Sequence, residues 1–491
     1  MDDTQFNSPL PSRQVIIQES PQPVSSQPEP AVSAPLTPPK AKKNFLPYIL
    51  GTLIVLLLGF VLYKFVIAKK TPKEPVTLNY WGLWEDESIV GGLIADFEAQ
   101  NPNIKINYEK SSKENYRSRL AGRLGKNPGA TEIPDIFRIH SSWIPMFKDY
   151  LTPVPATIAN SISLDKDFYK VYSRDLKIGG NYYAIPLMYD ALVLYYNQDL
   201  IKNAGVELPK SWLDLKELVS KLTVRDDQGN IQIAGIAMGT TDNIDHWSDI
   251  IGLLLRQNGA TIDAKNKDDN DKKIIEVLNF YTGFRNDFRT WNEDLLPSTK
   301  LFSQGKLAFY FGPSWRVFDF AQLNPNLNYA IAPVPQMPTL DSANNGSAAY
   351  LTNIHWATYW VEGVNVNSPH QAEAWKFLEF LSSRESLEKF YSAARQTGRD
   401  FGEIYPRISM AQSLKDDSRL KIFTDTADFA QSGYLSSFTH DEGLNTELSQ
   451  YFKDAINSLN NNNSSQNDVM TTLKSGIDQV VSKYSLNDSL K

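Results

Sequence analysis

The sequence predicts an α/β protein with doubly wound, largely parallel sheets, preceded by a low-complexity tail and one transmembrane helix. Three observations carry this. From Val76 onward, segments of period two and period 3.6 alternate, the pattern of strands joined by crossover helices. Phe45–Tyr63 (FLPYILGTLIVLLLGFVLY) holds no charge. The first 44 residues are rich in Pro, Ser and Gln, a composition that cannot bury enough apolar surface to offset chain entropy.

At 491 residues the chain exceeds one ordinary domain, so at least two are expected. Apolar residues make up 42% and aromatics 12%, enough for a substantial core. A net charge of −7, with no compact Lys/Arg patch among aromatics, argues against a nucleic-acid partner. Cysteine is absent, which excludes disulfides, Cys–zinc sites, thiol nucleophiles and lipid attachment through a thiol.

Residues 1–44 read as a disordered tail, 45–68 as a transmembrane signal anchor and 69–75 as a linker. The 19 residues Phe45–Tyr63 are long enough for a bilayer core of ~30 Å at about 1.5 Å per residue. A helix apolar all round, directly after a disordered tail, is poorly suited to a core. Lys64 breaks the run but can snorkel. Val66-x-Ala68 resembles a cleavage site, yet the run exceeds the roughly 7–15 apolar residues of a cleaved signal, so an uncleaved anchor is expected. Lys40, Lys42 and Lys43 precede the span and Lys64, Lys69, Lys70 and Lys73 follow it, so charge sets no orientation.

The α/β part begins with VTLNYWG, where Val76, Leu78 and Tyr80 alternate as a strand. SIVGGLIADFEAQNPN spaces Ile89, Leu93 and Phe97 along a helix stopped at Asn101-Pro102. IKINYEK and PDIFRIH are further strands around the helical ENYRSRLAGRLG. YAIPLMYDALVLYYN, helix SWLDLKELVSKL, strand IAGIAMG and helix HWSDIIGLLLRQNG continue the alternation. Then come helix KKIIEVLNFYTGF, the buried strand LAFYFG, strand NYAIAPVPQ and helix SPHQAEAWKFLEFLSS. Two helices, LNTELSQYFKDAINSL and VMTTLKSGIDQVVSKY, flank a polar loop at Asn460–Asn467. Asp263–Lys273 (DAKNKDDNDKK) lacks the Gly and Glu of a calcium loop and reads as solvated loop. After LAFYFG, Gly312-Pro313 turns the chain and Ser314 is placed to cap a helix.

Ligands of open α/β sheets bind beyond the C-terminal ends of strands. Trp81, Trp84, Glu85 and Asp86 follow the first strand here. Arg138, His140, Ser141 and Trp143 follow PDIF, and Tyr189 and Asp190 follow YAIPLM. Asp242, Asp245, His246 and Trp247 follow IAMGT, and Trp315 follows LAFYF. Any single tryptophan among these could equally fill a core. As a set beyond strand ends, aromatics and carboxylates suit a sugar, whose ring faces stack on Trp and whose hydroxyls donate to Asp or Glu, and equally another polar, partly apolar ligand.

Five strings in order then point to a known family. NYWGLWEDES with IADFEAQNPNIKINYE, PDIFRIHSSWIPMFKDYLTPV and YAIPLMYDALVLYYNQDLIKNAGVELPKSWLDL come first. LFSQGKLAFYFGPSW and YAIAPVPQMP follow, all within Val76–Tyr484. Together they resemble the family-1 extracellular solute-binding proteins of ABC transporters, the group of maltose-binding protein. The resemblance implies a two-lobed clamp of the periplasmic-binding-protein type II. Lobe 1 would comprise 76–188 and 336–394, and lobe 2 189–335 and 395–491, with crossings near Met188–Ala191, Ile331–Pro335 and Arg395–Gly402. It implies a small-molecule solute, a mono- or oligosaccharide, and ABC permease subunits as partners. The implied place is the cell membrane, with the C-terminal part outside the cytoplasm, and no cofactor, metal or catalytic residue. The family's Gly-Pro-Trp stretch falls on Gly312, Pro313 and Trp315, with Ser314 inserted; in sugar-binding members that Trp stacks on a sugar. Trp81, Trp84, Glu85, His140, Ser141, Asp190, His246, Trp247, Trp315 and Trp356 form the implied ligand set. Ser141 replaces an acid of the maltose binder, which argues against maltose itself. Tyr350, Trp356 and Trp360 crowd a segment that is Gly-rich in many relatives, and the span replaces their lipidated cysteine.

Other functions have less support. A glycosidase needs two carboxylates ~5–9.5 Å apart, and none of the 56 acidic residues sits in a recognisable catalytic string. G-x-S-x-G, Walker A and HExxH strings are absent. The five histidines are mutually distant in sequence, which gives a metal site little basis. A ligand sensor using the same clamp is not separable from a transport receptor by sequence.

Overall fold

A computed structural model describes residues 51, 52, 54–60, 75–125, 133–262, 267–340, 349–436 and 443–486. Of the span expected at 45–68, residues 51, 52 and 54–60 are helical, with Ile54, Val55, Leu56, Leu57, Leu58 and Phe60 exposed. The rest of that span, the tail 1–44 and nearly all of the linker lie outside the described residues. Among those described, no helix is long and apolar enough to cross a membrane. The residues from Pro75 onward belong to one unit.

Within that unit the expected alternation is present. Strand β1 (Val76–Gly82) is followed by α1 (Glu87–Gln100), which buries Ile89, Val90, Leu93 and Phe97. Asn101 ends α1 by donating from Nδ2 to Phe97 O at 2.9 Å, and Pro102 cannot continue it. Strand β2 (Ile104–Lys110), α2 (Tyr116–Leu124), β3 (Ile136–His140) and the short β4 (Ile185–Pro186) follow. The chain next forms β5 (Val193–Asn197), α3 (Trp212–Leu222), β6 (Val224–Arg225), β7 (Ile231–Ile236) and α4 (Trp247–Gln257). Then come α5 (Lys267–Asn286), β8 (Leu307–Gly312), α6 (Arg316–Leu323) and β9 (Tyr329–Ala332). It closes with β10 (Trp360–Val364), α7 (Gln371–Leu381), α8 (Arg384–Gln396), α9 (Leu444–Asn460) and α10 (Gln466–Lys483).

Two five-stranded sheets result, in the orders β2-β1-β3-β10-β4 and β9-β5-β8-β7-β6. Both are mixed, not largely parallel. β1, β2 and β3 run parallel, and so do β7 and β8, as crossover helices require. β10 is antiparallel to β3, and β5 is antiparallel to β8 and β9. These two strands enter their sheets after a crossing from the other sheet, so no crossover helix sets their direction.

Two local expectations change. Lys267–Lys273 is the first part of α5 and not loop; Asp268 and Asp269 in its first turn suit the positive end of the helix dipole. Ser314 does not cap α6, whose N-cap residue is Trp315 without a side-chain bond. The Ser314 hydroxyl donates instead to Asp190 Oδ2 at 2.9 Å.

Candidate functional site

β1 and β3 end at Gly82 and His140, and β10 begins with Trp360 paired to His140. One edge of the first sheet therefore carries Trp84, His140 and Trp360. β8 ends at Gly312, paired to Val193 at the start of β5, so the matching edge of the second sheet carries Trp315 and the approach through Asp190. Two crossing segments join these edges as an antiparallel pair at Ala191 and Ala357. Leu192 N–H donates to Trp356 O at 2.8 Å, and Thr358 N–H to Asp190 O at 3.0 Å. The strand-end edges of both sheets thus share one crevice, with the crossing segments at its base.

Trp315 is the aromatic this arrangement leaves open, at 39% exposure. Gly312 makes the turn before it possible, since a Cβ there would lie 2.6 Å from the Tyr310 ring and 3.0 Å from Arg316 Cγ. Tyr195 OH fixes the turn by donating to Pro313 O at 2.6 Å. The Arg316 guanidinium lies 4.3 Å from the Trp315 ring centroid, a cation–π contact covering one face. Arg316 is locked by Asp319 at 2.7 Å and by donation from Nε to His246 Nε2 at 2.9 Å. His246 meets Trp315 edge-on at 5.8 Å, and burial holds its imidazole below the ordinary histidine range.

On the first sheet, Trp84 and Trp360 are half-buried and meet edge-to-face at 5.4 Å. Trp360 also packs on His140 at 5.3 Å and Trp143 at 5.1 Å. His140 is buried; its Nδ1 lies 2.7 Å from Ser142 Oγ and its Nε2 3.2 Å from Thr358 Oγ1. Burial, aided by the Arg117 charge, lowers its pKa to about 3, so it is neutral at physiological pH. Asn445, at the start of α9, donates from Nδ2 to Ser142 Oγ at 2.8 Å and ties this loop to the helix pair α9–α10.

Asp190 sits where the chain crosses. Its Oδ1 accepts from Ala191 N–H at 2.7 Å and Ser314 N–H at 2.9 Å. Burial outweighs these bonds and pushes its pKa up to about 7; the charge of Glu403 adds to the rise. Glu403 is itself pushed up to about 7 by burial and then by the Glu85 charge, against Arg399 at 3.2 Å. A carboxylate raised in the folded state contributes stability that is full below its unfolded pKa of about 4 and is lost as pH rises to about 7. Asp190→Asn should therefore be less stable relative to the unsubstituted protein at pH 5 than at pH 8. Denaturant titration at both pH values measures this, and a deficit independent of pH would show that Asp190 does not titrate in this window.

The remaining expected site residues differ in access. Trp247 opens α4 and is half-buried, while Trp81 and Ser141 are buried. Glu85 departs from the expectation of a ligand carboxylate. It is 1% exposed, and both its oxygens accept from Arg138 Nη1, at 2.6 and 2.7 Å. Trp356 departs too, at 1% exposure, with Nε1 donating to Asp249 at 2.9 Å and Ser436 at 2.8 Å. Sequence reasoning missed Arg316, Glu403 and Thr358 and noted Trp360 only as crowding. The strand-pair register that sets Trp360 opposite His140 is a long-range fact with no local signal. Among the described residues no cluster of His, Asp and Glu could hold a metal ion.

The profile of bacterial extracellular solute-binding proteins matches residues 82–388. The multiple sugar-binding protein of Streptococcus mutans is 21% identical over 337 residues, 66% of this chain and 75% of that one. The maltodextrin-binding protein MdxE of Bacillus subtilis is 25% identical over 244 residues, 46% of this chain and 52% of that one. The sugar-binding protein MalE from Xanthomonas citri shares the fold with a TM-score of 0.63 at 19% identity, covering 85% of this chain and 100% of that one.

Proposed function

The chain belongs to the bacterial extracellular solute-binding proteins, the maltose-binding-protein-like group, and on that premise we propose that it captures a carbohydrate between its lobes and delivers it to an ABC permease. The observation that carries the ligand class is Trp315, half open at the crevice with Arg316 over one face. A flat aromatic face fixed from behind suits a sugar ring. Asp190 and Trp84, Trp247 and Trp360 supply acceptor and further ring surface at the same crevice. Relatives that bind maltodextrin or multiple sugars support this reading. The two lobes close by bending at the crossings near Met188–Ala191, Ile331–Pro335 and Arg395–Gly402, and the closed form meets the permease.

The test is a thermal-shift screen of mono- and oligosaccharides, since a bound ligand raises stability as RT ln(1 + [L]/Kd). For the sugar found, Trp315→Ala should weaken binding by roughly a hundredfold, the loss of one large stacked ring. Calorimetric titration measures it, and unchanged affinity would remove Trp315 from the site.

The same reading places the protein outside the cytoplasm, held by the apolar segment 45–68, whose described part is helical with exposed apolar side chains. In fractionated cells the chain should stay in the membrane through alkaline carbonate washing. Release into the wash, or resistance of the C-terminal part to protease on intact cells, would count against the anchor or its orientation.

A further inference from the structure

The second sheet has another pole, away from the crevice. β7 and β8 run parallel, and β8 ends at the crevice, so Ile231 at the start of β7 marks the far edge. There a cavity of about 910 Å³ opens between the β6–β7 turn, the C-terminal end of α5 and the α9–α10 loop. Its volume is in the range of small-molecule sites, roughly 300–1,000 Å³.

Its lining carries three guanidinium groups, Arg225, Arg285 and Arg289, against the carboxylate of Asp287. Arg285 is neutralised by Glu293 at 2.7 Å. Arg225 is held by carbonyl groups only: it donates to Gly229 O at 3.2 Å and to Arg289 O. Arg289 has a φ of 54°, a left-handed conformation that is strained for arginine. Neither Arg225 nor Arg289 has an ion pair among the described residues. Two full positive charges thus stand at one rim, one of them on a strained backbone held by the other.

The rest of the lining is amide-rich. Asn286 Nδ2 donates to Asn460 Oδ1 at 3.2 Å, and Gln466 Nε2 to Asn279 Oδ1 at 3.3 Å. Each amide has two N–H donors and two acceptor lone pairs, so these pairs retain capacity for hydroxyl groups. We propose that this cavity is a second binding site, separate from the crevice, for a polyhydroxylated anion of the size of a hexose phosphate. The guanidinium groups take the anionic end as charge-assisted hydrogen bonds and the amides take the hydroxyls.

The test is calorimetric titration of the full chain in detergent at low ionic strength with glucose 6-phosphate, inorganic phosphate and glucose. Glucose 6-phosphate should bind most tightly, and less tightly as salt rises. Arg289→Gln and Arg225→Gln should each weaken it by about tenfold or more. Both side chains are exposed, and a matching melting temperature confirms that each variant is folded. Trp315→Ala should leave this binding unchanged. No binding of glucose 6-phosphate overturns the proposal, as does binding unaffected by either arginine substitution or binding lost with Trp315→Ala, which would place it in the crevice. Failure of the crevice reading would show instead in the sugar screen and leaves this result standing.

Discussion

Trp356→Ala is expected to destabilise the protein by about 3–5 kcal/mol, the range for deleting a fully buried large aromatic. The ring is packed on backbone. A Cβ at Gly252 would lie 2.4 Å from its edge, and one at Gly433 2.7 Å. No side chain stands at either position to relax into the space, so the cavity would persist. The substitution also removes the indole N–H that Asp249 Oδ1 and Ser436 Oγ share, leaving a buried carboxylate oxygen without that donor. Because Trp356 sits beside the crossing pair at Ala357 and packs on α4, its loss should loosen the junction between the sheets. Trp315→Ala, measured beside it by denaturant titration, should cost clearly less stability. Equal losses would mean that Trp315 is as much a core residue as Trp356.

That contrast marks how far the sequence reaches. Trp315 follows an apolar strand and Trp356 lies in a segment crowded by Tyr350 and Trp360, and each fits a rim or a core. Trp315 could be placed because Gly312-Pro313 ends a strand and forces the next side chain beyond the sheet edge, a local signal. Trp356 could not, because its burial depends on Gly252 and Gly433, residues 104 and 77 positions away in sequence (356 − 252 and 433 − 356). Periodicity located most of the principal strands and helices for the same reason, since amphipathic patterning is local and the core is formed from it; it did not locate β10, which lies inside the first sheet. Strand direction was less legible. β5 looks like any other strand in sequence, and the antiparallel setting of β5 and β10 follows from crossings between the two sheets. The carboxylates show the same limit. Asp190 and Glu85 both stand just beyond strands, yet one bonds the turn of the other sheet and the other is enclosed by Arg138.

Arg138→Met should destabilise the protein by about 3–5 kcal/mol near pH 8, because it leaves two carboxylates buried without their cation. Arg138 lies in β3 and is 1% exposed. It holds Glu85 at 2.6 Å and, through Nε, Glu362 at 2.7 Å, and Glu362 also accepts from Tyr80 OH at 2.8 Å. Glu362 is already raised by burial, opposed mainly by the Arg138 charge. Without Arg138 that opposition disappears, so Glu362 should rise further. Raised carboxylates contribute stability that is full below about pH 4 and declines as pH rises. The deficit of the variant should therefore grow from pH 5 to pH 8, since protonation of Glu362 at the lower pH removes its uncompensated charge. Replacing all three residues together (Arg138→Met, Glu85→Gln, Glu362→Gln) should recover most of the loss, because no buried charge remains. Denaturant titrations at the two pH values measure each variant. A loss that is the same at both pH values and is not recovered in the triple variant would assign the role of Arg138 to packing of its aliphatic stem.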